Sequence, residues 1–153
     1  MLPEEDTGGK SLPQPEGTFL PVEDLANLKR AARDVTGYSY SPYSGFPVGA
    51  AVLASSGKIF QGTNIENASY GLAICAERSA IFCAVSAGES EITAVSIYTP
   101  TDEPQLPCGA CLQVIAEFAS GDIPLIMITE GNERVVKLSG LLPEIFKLKK
   151  KEK

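Results

Sequence analysis

Apolar positions along the chain switch between two periods. In "VEDLANLKRAARDVTGY", Val22 to Tyr38, the residues Leu25, Leu28, Ala31, Ala32 and Val35 recur at helical spacing, and Gly37 supplies a stop. Two strand-like runs follow, "VGAAVLAS" from Val48 and "KIFQGTN" from Lys58, around the turn residues Ser56-Gly57. "CAERSAIFCAVSAG" gathers Ala76, Ala80, Cys83, Ala84 and Ala87 on one small-residue face. This predicts a helix from near Cys75 to Gly88, with Cys83 as a core cysteine. "ITAVSIYT" reads as a buried strand, and "CGACLQVIAEFAS" as a helix with Cys111, Val114, Ile115 and Phe118 on its apolar face. "IPLIMIT" and "RVVKLS" read as strands, and "GLLPEIF" as a closing turn or short helix.

Strands that alternate with helices imply right-handed crossovers and a sheet covered on both faces. The first two strands should form an antiparallel hairpin. The expected fold is a three-layer α/β/α sandwich around a mixed, mostly parallel five-stranded sheet. One domain is expected over residues 19–146. It should follow a flexible arm at 1–18, rich in Pro, Gly and Glu, and precede a basic tail at 147–153.

Charge and composition narrow the functions. At net −6, the chain disfavours a nucleic-acid partner, because affinity for phosphate backbones comes mainly from Lys and Arg. No apolar run approaches the roughly 18 residues of a membrane span. The acidic start "MLPEEDTGGK" lacks a secretion-signal pattern, so a cytoplasmic location is expected. Histidine is absent, which rules out Ser-His and Cys-His nucleophile pairs and every histidine-ligated metal site. Any proton carrier must then be a carboxylate, Lys, Tyr, Cys or a metal-activated water.

The cysteines carry the remaining chemistry. Cys75 starts one predicted helix, and Cys108 and Cys111 sit in the first turn of another. Helix N-termini carry unpaired N–H groups that favour thiolate, the form that binds metal. Three soft ligands leave the fourth position of a tetrahedral zinc open, as a catalytic site requires. Glu77, two residues after Cys75, is placed to relay protons from outside the metal shell. A ligand-x-Glu followed by P-C-x-x-C is the pattern of zinc-dependent base deaminases.

With these residues in view, the chain resembles the cytidine deaminases, specifically the small homotetrameric class with three cysteine ligands. Four blocks carry the resemblance in the family's order: "SPYSGFPVGAAV", "GTNIENASYGLAICAERSAI", "PCGACLQVIAEF" and "LLPEIF". The resemblance implies that Cys75, Cys108 and Cys111 bind one zinc per subunit and that Glu77 relays protons. It further implies that Asn64 and Glu66 hold the ribose hydroxyls, that Phe46 stacks near the pyrimidine, and that the Ala76 backbone meets its polar edge. Phe146 is expected to reach a neighbouring subunit's site, and Tyr43 and Tyr70 to lie at subunit contacts. Arg78 is expected to withdraw charge from a thiolate, and Pro107 to stiffen the approach to the second ligand helix.

The implied reaction is hydrolysis of cytidine and 2′-deoxycytidine to uridine and 2′-deoxyuridine, with ammonia released. Two departures bear on it. Leu112 stands where the family commonly has an arginine after its last ligand, leaving Arg78, or a distant arginine such as Arg134, to balance the thiolates. Gly45 and Gly71 stand where bulkier residues are common. Deamination of another aminopyrimidine nucleoside, such as a cytidine-like antibiotic, is one alternative. Polynucleotide editing and a non-catalytic zinc-binding homologue are the others.

Overall fold

The computed structural model describes residues 20–152; the arm expected at 1–18 lies outside them. Helix α1 (Val22–Val35) leads through a 3₁₀ turn (Thr36–Tyr38) to the hairpin β1 (Gly49–Ala54) and β2 (Ile59–Thr63). A second 3₁₀ turn (Tyr70–Leu72) precedes α2 (Ala76–Ser86), β3 (Ile92–Tyr98) and α3 (Gly109–Phe118). The chain closes with β4 (Pro124–Ile128), β5 (Glu133–Lys137) and the short α4 (Leu138–Leu141).

The sheet order is β2-β1-β3-β4-β5, and helices cover both faces. Alternation along β1 decides which residue faces which layer. Ala50 and Val52 pack with α2 and α3 residues such as Ala80, Ile81 and Ile115. Ala51 and Leu53 pack with Leu28 and Ala32 of α1. The three-layer sandwich is therefore as expected.

The expectation of a mostly parallel sheet is corrected. Only β3 and β4 pair in parallel; β1 pairs antiparallel with both β2 and β3, and β5 antiparallel with β4. The β2-α2-β3 crossover does return the chain in the same direction. It passes over β1, however, which separates the two parallel strands.

Two glycines allow the layers to approach. A Cβ on Gly62 of β2 would stand 2.2 Å from the backbone nitrogen of Ala80, and one on Gly49 of β1 would stand 2.0 Å from the Ala32 carbonyl oxygen. Only glycine lets β2 seat α2 this closely, and α2 carries much of the site.

A second correction concerns Cys83, which is exposed. The buried arc of α2 runs from Ala76, Ala80 and Ala84 toward Glu77 and Ile81, away from Cys83. Small residues on both sides of the helix made its inward face ambiguous.

Candidate active site

Two helix starts meet at the floor of a cavity of about 460 Å³. Cys75 is the N-cap of α2 and Cys108 the N-cap of α3, both in extended backbone conformations. Neither side chain caps its helix, which leaves the sulfurs free to face one another. Cys111, in the first turn of α3, completes the group, and the three Sγ atoms lie within 4.8 Å of one another. Pro107 is buried one residue before the Cys108 cap, outside the helix, where its fixed φ limits the approach of the chain.

The donor set fits zinc. Tetrahedral Zn–S bonds of about 2.3 Å place sulfurs about 3.8 Å apart. Here Cys75 and Cys108 are 4.0 Å apart, and Cys108 and Cys111 are 3.6 Å apart. Cys75 is also favoured as thiolate. A hydrogen bond from the Cys111 thiol, assisted by the Arg78 guanidinium, lowers its pKa to about 5. The same bond to Cys75 pushes the Cys111 thiol upward.

Glu77 lies in the first turn of α2, with only 5% of its surface exposed. Its Oε2 is 3.6 Å from the Cys111 sulfur. Burial raises its pKa above the ordinary carboxylate value, as suits a group that must both accept and return a proton. Arg78 donates through Nη2 to Cys75 Sγ at 3.3 Å. Among the described residues it is the only cation lining the cavity. Leu112 is buried in the core beneath α2 and α3, and Arg134 is exposed on edge strand β5.

The rim of the cavity is built from loop backbone. The segment Asn64–Glu66 is strapped to the start of α2 by a reciprocal pair of 3.0 Å hydrogen bonds between Ile65 and Ile74. It is strapped to the preceding loop by Tyr40 N–H on the Asn64 carbonyl and Glu66 N–H on the Tyr40 carbonyl. Asn64 Oδ1 accepts from Val48 N–H at 3.0 Å and from the Ser39 hydroxyl, and its Nδ2 donates to the Phe46 carbonyl at 2.7 Å. Glu66 Oε1 accepts from the N–H groups of Tyr43 and Ser44, and Oε2 from the Ser44 hydroxyl. These bonds, that of the Ser44 hydroxyl foremost, hold its carboxyl below the usual range.

The structure thus brings Cys75, Ala76, Glu77, Arg78, Cys108, Phe46, Asn64 and Glu66 to one cavity. Tyr43 and Tyr70 form an edge-to-face pair, centroids 5.9 Å apart, over an adjoining hollow of about 310 Å³. Phe146 is 69% exposed and does not line this chain's own cavity. Gly45 takes φ +65°, a left-handed turn that glycine adopts without strain, and among the described residues neither it nor Gly71 has a neighbour within reach of a Cβ. Sequence reasoning gave no role to Ser44, Thr99, Gln105 or Leu106, which also line the cavity. For the last two, their position just before "PCGAC" was the available signal.

Thiolate ligands split between two helix starts, with a carboxylate two residues after the first, are how zinc-dependent deaminases of nucleobases are built. That is the class this fold and cluster define. The chain belongs to the cytidine and deoxycytidylate deaminase family, whose zinc-binding region matches residues 22–127. It is 44% identical over 128 residues to a cytidine deaminase of Sporosarcina psychrophila, covering 83% of this chain and 92% of that one. It is 45% identical over 109 residues to a cytidine deaminase of Halalkalibacterium halodurans, covering 71% and 83%. The crystal structure of a cytidine deaminase from Burkholderia pseudomallei superposes with a TM-score of 0.75 at 41% identity, covering 79% of this chain and 98% of that one.

Proposed function

We propose that the protein catalyses the zinc-dependent hydrolytic deamination of cytidine and 2′-deoxycytidine. The observation that carries this is the buried Glu77 carboxylate set against the Cys75–Cys108–Cys111 cluster at the floor of a nucleoside-sized cavity. Zinc, held by those three sulfurs, supplies the Lewis acidity that makes water a nucleophile near neutral pH. Glu77 takes the proton from the attacking water and delivers it to ring N3 as C4 is attacked. The same carboxylate then takes the remaining proton from the new C4 hydroxyl and gives it to the departing amine as the C4–N bond breaks and C4=O forms, so that cytidine and water yield uridine and ammonia. One carboxylate acting as base and then as acid removes the need for histidine, which the chain lacks.

Around that centre, Phe46 packs beside the pyrimidine, the Ala76 backbone meets its polar edge, and Asn64 with Glu66 receives the sugar hydroxyls. Asn64 retains one N–H and Glu66 retains acceptor capacity after their hydrogen bonds to the protein. Arg78 offsets thiolate charge, and Pro107 fixes the approach to α3. We assign Phe146 to the cavity of a neighbouring copy in a homotetramer, with Tyr43 and Tyr70 at subunit contacts. The exposure of all three side chains supports this. Light scattering checks it, and a monomer would remove Phe146 from the site. Four free cysteines suit a reducing compartment, the cytoplasm. No described helix is long and apolar enough to cross a membrane.

The test is ammonia release by the zinc-loaded protein from cytidine, 2′-deoxycytidine, free cytosine and CMP. Both nucleosides should turn over, with little from the base or the nucleotide. If none of the four reacts while zinc is bound, the assignment to cytidine fails. Arg78, the one cation lining the cavity among the described residues, would then direct attention to a modified aminopyrimidine nucleoside or to binding without turnover.

A further inference from the structure

The hydroxyl of Ser44 touches both parts of the rim. It donates to Glu66 Oε2 at 2.5 Å and accepts the Phe46 N–H at 3.0 Å. We propose that Ser44 is a positioning residue that holds the Glu66 carboxylate and the Phe46 ring in register, so that one nucleoside can meet both at once. For its substrate the inference rests on the function proposed above.

The hydroxyl inventory supports an indirect role. A serine has one hydrogen and two lone pairs. Its hydrogen is committed to Glu66 and one lone pair to Phe46, so it has no proton left to donate to a ligand. Its effect must pass through those two partners. Glu66 Oε1 is fixed by the two backbone N–H groups of Tyr43 and Ser44, at 2.9 and 3.0 Å. A carboxylate held at one oxygen can still swing about that oxygen. The Ser44 hydroxyl is the contact that fixes Oε2.

Phe46 is held in the same way from two sides. Asn64 Nδ2 takes its carbonyl at 2.7 Å, and the Ser44 hydroxyl takes its N–H. Between them Gly45 turns through φ +65° and closes a bond from its N–H to the Ser41 carbonyl at 2.9 Å. Glycine at the apex makes the turn possible and gives it little stiffness of its own. Removing the hydroxyl would free Oε2 and leave the Phe46 N–H without its partner, loosening both recognition groups together. Displacements of about 1 Å in such groups are costly to substrate binding.

The test compares the zinc-loaded wild type with Ser44→Ala, Ser44→Thr, Glu66→Gln and the double variant Ser44→Ala/Glu66→Gln. Steady-state kinetics with cytidine are paired with calorimetric binding of uridine, which needs no turnover. Ser44→Ala should raise KM and the uridine Kd about tenfold, with kcat within about threefold of wild type. Ser44→Thr, which keeps the hydroxyl, should recover most of that loss. In the Glu66→Gln background, adding Ser44→Ala should cost much less, because the shared partner is already altered. A side chain that merely stabilised the loop would give the same penalty in both backgrounds. That result, or unchanged KM and Kd in Ser44→Ala, overturns the proposal. If wild type neither converts nor binds nucleosides, it is the functional reading that has failed. The carboxyl ¹³C titration of Glu66 then decides for Ser44: its midpoint should rise in Ser44→Ala, and an unmoved midpoint rejects the coupling.

Discussion

The floor and the rim of the cavity are made of different material. The floor stands on the first turns of α2 and α3, packed onto the sheet, with Glu77 and Cys111 buried. The rim is a loop and a strap, Ser39–Val48 and Asn64–Glu66, whose side chains are partly exposed and held mainly by hydrogen bonds to backbone. Helix starts supply fixed N–H dipoles and a dry setting, which shift the acidity of thiols and carboxylates. A hydrogen-bonded loop supplies shape and polar contacts with less rigidity. The expectation is a division of labour in which floor variants lower kcat and rim variants raise KM.

Glu77→Gln should produce the largest effect and the clearest case of that division. The amide keeps the shape of the side chain but cannot carry a proton between water, ring and amine. We expect kcat to fall about 10³- to 10⁴-fold, with zinc content and uridine binding close to wild type. Metal analysis and single-turnover assays check this. A loss of zinc with the activity would instead make Glu77 a support of the metal cluster.

Arg78→Gln ranks second. Its guanidinium meets Cys75 at 3.3 Å, and among the described residues no other cation lines the cavity: Leu112 is apolar and Arg134 lies exposed on the far edge strand. Loss of such a partner to a metal ligand typically costs about 10- to 100-fold in activity or metal affinity. Titration with a chelator separates the two outcomes. Restoring a cation by Leu112→Arg in the Arg78→Gln background should recover part of the loss. In a double variant that keeps its fold and its zinc, no recovery would mean that residue 112 does not approach the thiolates.

The same contrast explains what could be read in advance. The floor was legible because its chemistry is local: C-x-E and P-C-x-x-C each fit within one helical turn, and helix starts can be inferred from periodicity. The rim was legible only through its resemblance to known proteins, because its contacts join distant positions. The bond from Ser44 to Glu66 spans 22 residues, and nothing local in "YSGFP" points to it. The expectation of mostly parallel pairing failed for the same reason. Each crossover could be read from its own segment, but the insertion of β1 between β2 and β3 is a long-range pairing that periodicity does not encode. Cys83 was misplaced because alanines on both sides of α2 blur the apolar face that decides burial.

The smallest expected effect sharpens the comparison at low pH. Glu66 accepts three hydrogen bonds, that of the Ser44 hydroxyl foremost, and they hold its folded pKa below the ordinary value of 4.5. A carboxylate with a depressed folded pKa contributes its stability in full above the unfolded value. That contribution is lost as pH falls through the folded pKa. The relevant window therefore opens near 4.5 and runs downward. In thermal melts, the Tm gap between wild type and Glu66→Gln should be constant above that window and shrink within it. Because Glu66 is solvent-accessible, the change should be modest. Acid also protonates the thiolates and weakens metal binding. Both proteins carry the same three cysteines, however, so the difference between them isolates the rim. A gap that stays constant down through the window would mean that these hydrogen bonds do not favour the ionised form. The rim would then owe its order to loop packing rather than to the charge of Glu66.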